Sequence, residues 1–201
     1  MFALVESGSI TQMPKGNKGI KIGDNQYPAA IYTLWSEAER NAIGIYTVEI
    51  DNTNKKDEEW YINTNQSYSF SGGKVTATYG TATAKAIADA DATDDDGNKL
   101  KDEDGNQIIN YGLKTIKKRI IDKQCAGILA PSDWMVIRAT ETGATLDSGW
   151  KTWRASVRTK CNSMQTQIDN ASDVDALAAL FTYTETDGVT SRPLGEFPVK
   201  E

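Results

Sequence analysis

Histidine is absent from the 201-residue chain. That removes every mechanism in which an imidazole carries a proton, binds a metal or completes a nucleophilic triad. Cysteine is nearly absent too: Cys125 and Cys161 are the whole complement, and two thiols without a histidine fall short of the four ligands of a structural zinc site. Both lie on the apolar stripes of expected helices. The simplest reading is a pair of buried free thiols in a reducing compartment, with a disulfide as the alternative where the two helices run side by side. Long apolar runs are missing as well. None approaches the roughly 20 residues that cross a bilayer, and the N-terminus has no basic stretch followed by an apolar core. A soluble, unprocessed protein without membrane insertion is the expectation. Basic residues are outnumbered, 22 against 28 acidic, for a net charge of −6, which disfavours nonspecific attraction to nucleic acid.

What is present divides the chain by composition. Met1 to Glu6 reads as a strand, and the next stretch, rich in Gly, Lys and Asn, reads mostly as loop with Ile20-Lys21-Ile22 as its one apolar alternation. Ser36 and Glu39 have the spacing of a capping box, so a short helix is expected there, with Gly44 suited to a left-handed exit. Ile45 to Ile50 alternates as a strand, and Trp60-Tyr61-Ile62 is strand-prone. Tyr68 to Tyr79 reads as strand, Gly-Gly turn, strand, with Val75, Ala77 and Tyr79 on one face. Residues 1–81 are therefore expected to form a small β-rich module.

Residues 82–112 are acidic and repeat Asp-x-Asp-Gly-Asn with a period of eight, at Asp94 to Asn98 and at Asp102 to Asn106. A calcium loop counted from Ala92 places Asp94, Asp96 and Glu103 at its third, fifth and twelfth positions but has no ligand at its first. Counted from Leu100 the second copy ends on Tyr111. The oxygen cage is incomplete both times, and tight hairpin turns account for the pattern. This segment reads as an acidic β-hairpin connector.

Residues 113–182 carry helical periodicity. Leu113, Ile116, Ile120, Ile121, Cys125 and Ile128 spread over a broad apolar face, with Lys114, Lys118, Arg119 and Lys123 outward as a solvated surface. Gly127 and Pro131 argue for an end to this helix near Leu129, and Ser132 is placed to cap the next, which starts at Asp133 and Trp134. Trp150, Trp153, Val157, Cys161, Met164 and Ile168 follow at spacings of three and four, as one face of a long helix. Asp173 to Phe181 forms a last short helix, its start framed by Ser172 and Asp175. Residues 183–201, with Gly188, Pro193, Gly195 and Pro198, read as an extended tail that docks along a partner. The fold class expected is α+β: a β-rich N-terminal module, a hairpin connector and a C-terminal unit of three or four helices.

The turn Ala130-Pro131-Ser132-Asp133-Trp134 followed by Trp153-Arg154-Ala155-Ser156-Val157-Arg158 resembles the phage tail assembly chaperone family over Leu113 to Phe181. The segments Met1 to Glu6 and Ser191 to Pro198 look like the opening and close of longer marine-phage tail proteins. The resemblance implies a non-enzymatic role in building or completing a tail fibre. The implied location is the virion tail or the host cytoplasm during assembly, and the implied partners are phage tail or tail-fibre proteins, self-association included.

The residues themselves lean the same way. Catalysis without histidine would need two carboxylates held about 5 to 10 Å apart on a concave scaffold, an activated lysine, or a thiolate in an electropositive setting. The carboxylates here cluster in turns and the thiols sit among apolar residues, so neither an enzyme nor a cofactor is expected. Trp134, Arg138, Trp153, Arg154 and Arg158 combine the two residue types most enriched at interface hot spots and are the candidate partner-binding residues. The plainer reading is that the tryptophans form a local core and the arginines pair with nearby carboxylates. A second functional reading is a receptor-facing carbohydrate-binding module that stacks sugars on Trp60, Tyr61, Tyr68 and Tyr79.

Overall fold

A computed structural model describes residues 1–200 and is α+β, with strands dominating the N-terminal part and helices the C-terminal part. It divides into two compact units, Met1–Thr83 and Ala84–Glu201.

The first unit runs β1 (Phe2–Glu6), β2 (Ser9–Gln12), β3 (Ile20–Ile22), β4 (Asn25–Tyr27), α1 (Ile31–Leu34), α2 (Glu37–Ala42), β5 (Ile45–Asp51), β6 (Tyr61–Ile62), β7 (Gln66–Ser71) and β8 (Lys74–Tyr79). Its main sheet has the order β2-β1-β5-β8-β7. Only β5 and β8 are parallel, with Val48 opposite Val75. The chain leaves β5, crosses to the far edge as β7, and returns through a tight turn to lay β8 in the gap. Alternation along each strand then sends neighbouring side chains to opposite faces. Leu4 and Ile45 meet Ile20, Ile31 and Tyr32 on one face. Ala3, Val48, Val75 and Ala77 form a cluster on the other, where Tyr46 and Phe70 pack with ring centroids 4.9 Å apart.

Two local expectations are met in detail. Ser36 caps α2 as a reciprocal capping box: Glu39 N–H donates to Ser36 Oγ at 3.3 Å and Ser36 N–H to Glu39 Oε2 at 2.8 Å. Gly44 leaves the helix at φ +83. The loop expected after Glu6 is instead two hairpins, because β2 and β4 are too polar to show an apolar alternation and are held by the register of their partners.

The strand β9 (Thr83–Ala84) stands at the boundary, and the second unit continues with β10 (Ala90–Asp91), β11 (Ile109–Asn110), α3 (Leu113–Leu129), α4 (Asp133–Thr142), α5 (Ser148–Asn170), α6 (Val174–Phe181), β12 (Thr184–Thr186) and β13 (Val189–Ser191). The two Asp-Gly-Asn repeats are tight turns. Asp94 Oδ1 accepts from the backbone N–H of Asp96 and Asn98, and Asp102 Oδ1 does the same for Asp104 and Asn106. The segment has a second task that spacing does not show. Asp89 accepts from Gly112 N–H at 2.8 Å and from Thr115 Oγ1 at 2.9 Å, while Leu113 and Lys114 N–H donate to Ala86 O and Ile87 O, so the segment 86–89 holds the start of α3.

The helices α3 and α5 pack antiparallel. Lys114 and Lys118 at the start of α3 reach Asp169 at the end of α5, while Arg154 near the start of α5 reaches Leu129 at the end of α3. The buried positions of α3 are Leu113, Lys117, Ile121, Cys125 and Leu129, spaced by four. This narrows the broad face expected from sequence: Ile116 and Ile120 are each 42% exposed. In their place Lys117 is buried, its ammonium 5.0 Å from the centre of the Phe181 ring. Asp173 rather than Ser172 caps α6, accepting from Ala176 N–H at 2.8 Å.

The tail is not a free extended segment. Residues 184–191 form the β12–β13 hairpin, and Leu194 is fully buried. Lys160 Nζ donates to Leu194 O at 2.9 Å and Trp153 Nε1 to Pro198 O at 3.0 Å. Apolar residues at 194 and 197 separated by proline and glycine have no periodicity to read, yet together they strap the chain back onto α5.

Cys125 and Cys161 are both buried and free. Burial first, and then the neighbouring Cys125 thiol and the Asp122 carboxylate, push the Cys161 thiol up to about 12. Its neutral form is the one the fold favours. The associated stability is present below about pH 8.5, where the thiol of an unfolded chain begins to ionise, and is lost as pH rises from there toward the folded value. Iodoacetamide at pH 8 is expected to leave Cys161 unmodified in the folded chain and to label both cysteines in urea, as read by intact mass. Labelling of Cys161 in buffer alone would show that its thiol is not enclosed.

Candidate partner-binding surface

The five residues singled out from sequence separate into two groups with different roles. Arg154 is 4% exposed. Its NH1 donates to Leu129 O at 2.9 Å and to Ser132 Oγ, and its NH2 donates to Asp133 Oδ1 at 2.5 Å. Leu129 ends α3, so its carbonyl is one of those with no partner inside the helix. Ser132 does not cap α4 as expected; its hydroxyl donates back to Leu129 O at 2.8 Å within a 3₁₀ turn, Ala130–Ser132, that contains Pro131. The Pro-Ser-Asp-Trp turn is thus closed from α5 by one guanidinium. As a surface residue for a partner, Arg154 is corrected to a buried tie. Trp153 is half-buried, stacks edge-on to Trp150 with centroids 5.5 Å apart, and spends its N–H on Pro198.

The exposed group lies on α4. This helix carries Trp134, Val136 and Ile137, exposed at 53%, 37% and 57%, and none of its residues is buried. A helix whose first turns read Trp-Met-Val-Ile has the composition of a packed element. Between α4 and the start of α5 lies a cleft of about 360 Å³, lined by Trp134, Arg138, Leu146 and Trp150 among others. The turn at Gly143 and the Asp147 cap of α5, which accepts from Gly149 and Trp150 N–H, fix the two walls. Arg138 and Arg158 are exposed and form no ion pair among the described residues. Arg138 faces the cleft, whereas Arg158 does not line it. Trp150, grouped by type with the other tryptophans and arginines but read mainly as a core position, is the wall that completes the cleft.

The aromatics considered for sugar stacking are in the other unit and are differently disposed. Trp60 is 6% exposed. Lys56 lies over the Tyr61 ring at 4.1 Å and Lys55 near the Tyr79 ring at 5.7 Å, and only Tyr68, at 39%, counts as an exposed large aromatic among the four.

No family model matches the chain, and no curated protein and no solved structure matches it either.

Proposed function

We propose that this chain is a bacteriophage tail-associated structural or tail-fibre assembly protein that acts through protein–protein contact and without catalysis. The observation that carries the contact half of the reading is α4: a helix whose first turns are apolar yet with no buried residue, beside a cleft walled by two indoles and lined by a guanidinium that forms no ion pair. Tryptophan and arginine in a concave setting are the residue types that dominate interface energies, because they combine large apolar area with directed hydrogen bonds. The tail assignment rests on the resemblance of the Pro-Ser-Asp-Trp turn and the arginine-bearing helix after it to tail assembly chaperones. The partners proposed are tail or tail-fibre proteins, with a second copy of this chain as the other class.

The test is co-expression of the full chain with the tail-fibre and tail proteins encoded beside it, followed by affinity capture and titration of the retained partner. The double variant W134S/R138E is expected to keep the helical circular dichroism of the wild type and to bind at least about tenfold more weakly, since truncation of one hot-spot residue costs roughly 2 kcal/mol or more. Retention of every partner at wild-type affinity by the variant, or retention of no tail protein by the wild type, would remove the reading.

A further inference from the structure

The chain segregates its charge. Residues 89–104 hold eight carboxylates against two lysines and so carry the whole net charge of −6. The helix that follows, α3, holds five cations against one carboxylate. That carboxylate, Asp122, turns toward α5 and accepts from Gln165 Nε2. Lys114 and Lys118 are taken up by Asp169, and Lys117 is buried. Left outward are Ile116, Arg119, Ile120 and Lys123, at i, i+3, i+4 and i+7, which is a single stripe of the helix. All four are exposed, and Arg119 and Lys123 form no ion pair among the described residues. Arg119 is steadied by the Tyr111 ring, whose centre lies 3.7 Å from the guanidinium carbon. Two isoleucines flanked by two cations stand open to solvent.

The acidic segment is a compact knob with the converse surface. Its period of eight brings Ala92, Leu100 and Ile108 together. Leu100 N–H donates to Ala92 O at 2.8 Å, Ile108 N–H to Leu100 O at 3.0 Å and Ala92 N–H to Ile108 O at 2.8 Å, closing a backbone ring. Ala92 is buried, whereas Leu100 and Ile108 are each 41% exposed. The two Asp-Gly-Asn turns leave the ring carrying Asp95, Asp96, Glu103 and Asp104, exposed carboxylates that form no ion pair among the described residues. The knob is pinned at its base, where residues 112–114 donate to residues 86–89, and it does not lie over the stripe of its own chain. The spacings agree as well: paired strands set neighbours about 5 Å apart, and one helical turn sets Ile116 about 6 Å from Ile120.

We propose that the outer stripe of α3 is a self-association surface and that its occupant is the acidic knob of a second copy of this chain. Leu100 and Ile108 of one copy pack on Ile116 and Ile120 of the other, and the carboxylates of the turns meet Arg119 and Lys123. Opposite charges around a small apolar centre steer the encounter and fix its register. Knob and stripe are different surfaces, so copies either exchange them reciprocally in a closed dimer or pass them on in an open chain. The contact uses no residue of the α4 cleft and does not depend on the tail reading.

Sedimentation velocity of the full chain at up to about 100 µM, in about 50 mM and about 500 mM salt, tests this. The wild type is expected to self-associate at low salt and at least about tenfold more weakly at high salt. R119E/K123E and D95K/D96K/E103K/D104K are each expected to be monomeric alone with the circular dichroism of the wild type. Their equimolar mixture is expected to associate as the wild type does, because every knob then meets a stripe of opposite charge. W134S/R138E is expected to associate at wild-type strength. A monomeric wild type at low salt would overturn the proposal, and its capture by phosphatidylserine vesicles would give the stripe to an anionic membrane surface instead. Wild-type association of R119E/K123E, no recovery in the mixture of the two folded variants, or loss of association in W134S/R138E would each overturn it too.

Discussion

Arg154→Ala is expected to destabilise the helical unit by about 3 kcal/mol, more than any other single polar substitution in the chain. One guanidinium here serves three acceptors from one corner: the last carbonyl of α3, the Ser132 hydroxyl of the 3₁₀ turn, and the Asp133 carboxylate that opens α4. Its removal takes the charged donor from Leu129 O, which keeps the Ser132 hydroxyl, and opens a void where the arginine stem lay. Asp133 lessens the loss, because its side chain is 54% exposed and is taken up by water once the arginine is gone. Asp133→Asn is accordingly expected to cost only about 1 kcal/mol. Arg154→Lys restores a charge but not the planar fork, and a single ammonium does not span acceptors on both sides of the turn; it is expected to recover less than half of the loss. Urea titration followed at 222 nm reports the helices, most of which lie in this unit. A wild-type midpoint for Arg154→Ala would mean that the corner is held by apolar contacts alone.

The same residue shows what sequence did and did not disclose. Positions 150, 154, 157, 161, 164 and 168 are spaced by four, three, four, three and four, which is the seam of a packed helix. Arg154 falls on that seam as regularly as Val157, which is fully buried. Residue type argued for surface and the expected stripe ran through Trp153; the buried seam takes Arg154 instead, because three backbone and side-chain acceptors of the preceding turn lie where the guanidinium reaches. Lys117 repeats the lesson on α3. It occupies a position four before Ile121 and is buried, whereas Ile116 and Ile120 stay half in water. The capping box at Ser36 and the alternating strands β5 and β8 were legible because their causes are local. The parallel pairing of β5 with β8, the hold of residues 86–89 on the start of α3 and the return of the tail are long-range choices, and no periodicity records them. The cleft on α4 was half legible: Trp134, Arg138 and Trp150 were marked by type, but that they line one hollow follows from the turn at Gly143, which joins the end of α4 to the start of α5.

Leu194→Ala is expected to cost about 2–5 kcal/mol, the range for removing a fully buried leucine side chain from a core that does not collapse around the void. The value belongs at the upper end if the strap is one cooperative piece. Leu194 N–H donates to Leu180 O at 3.1 Å and its carbonyl accepts from Lys160, so side chain and backbone anchor to α6 and α5 at the same residue. Arg192 pairs with Glu196 at 2.8 Å just outside it, and Tyr183 Oη donates to Glu196 Oε1 at 2.7 Å, tying the hairpin before the strap to the strap itself. Val199→Ala, at a side chain 85% exposed, is the matched control and is expected to stay within about 0.5 kcal/mol of wild type. The optical consequence separates a loosened strap from a lost fold. Pro198 O holds the Trp153 indole, and Trp153 stacks on Trp150, which walls the cleft. Release of the strap in Leu194→Ala frees that N–H to water, so tryptophan emission is expected to shift to longer wavelength at urea concentrations below the helical transition. Coincident fluorescence and circular-dichroism transitions in Leu194→Ala would show instead that strap and helices unfold as one unit, and that the cleft wall is lost only with the fold.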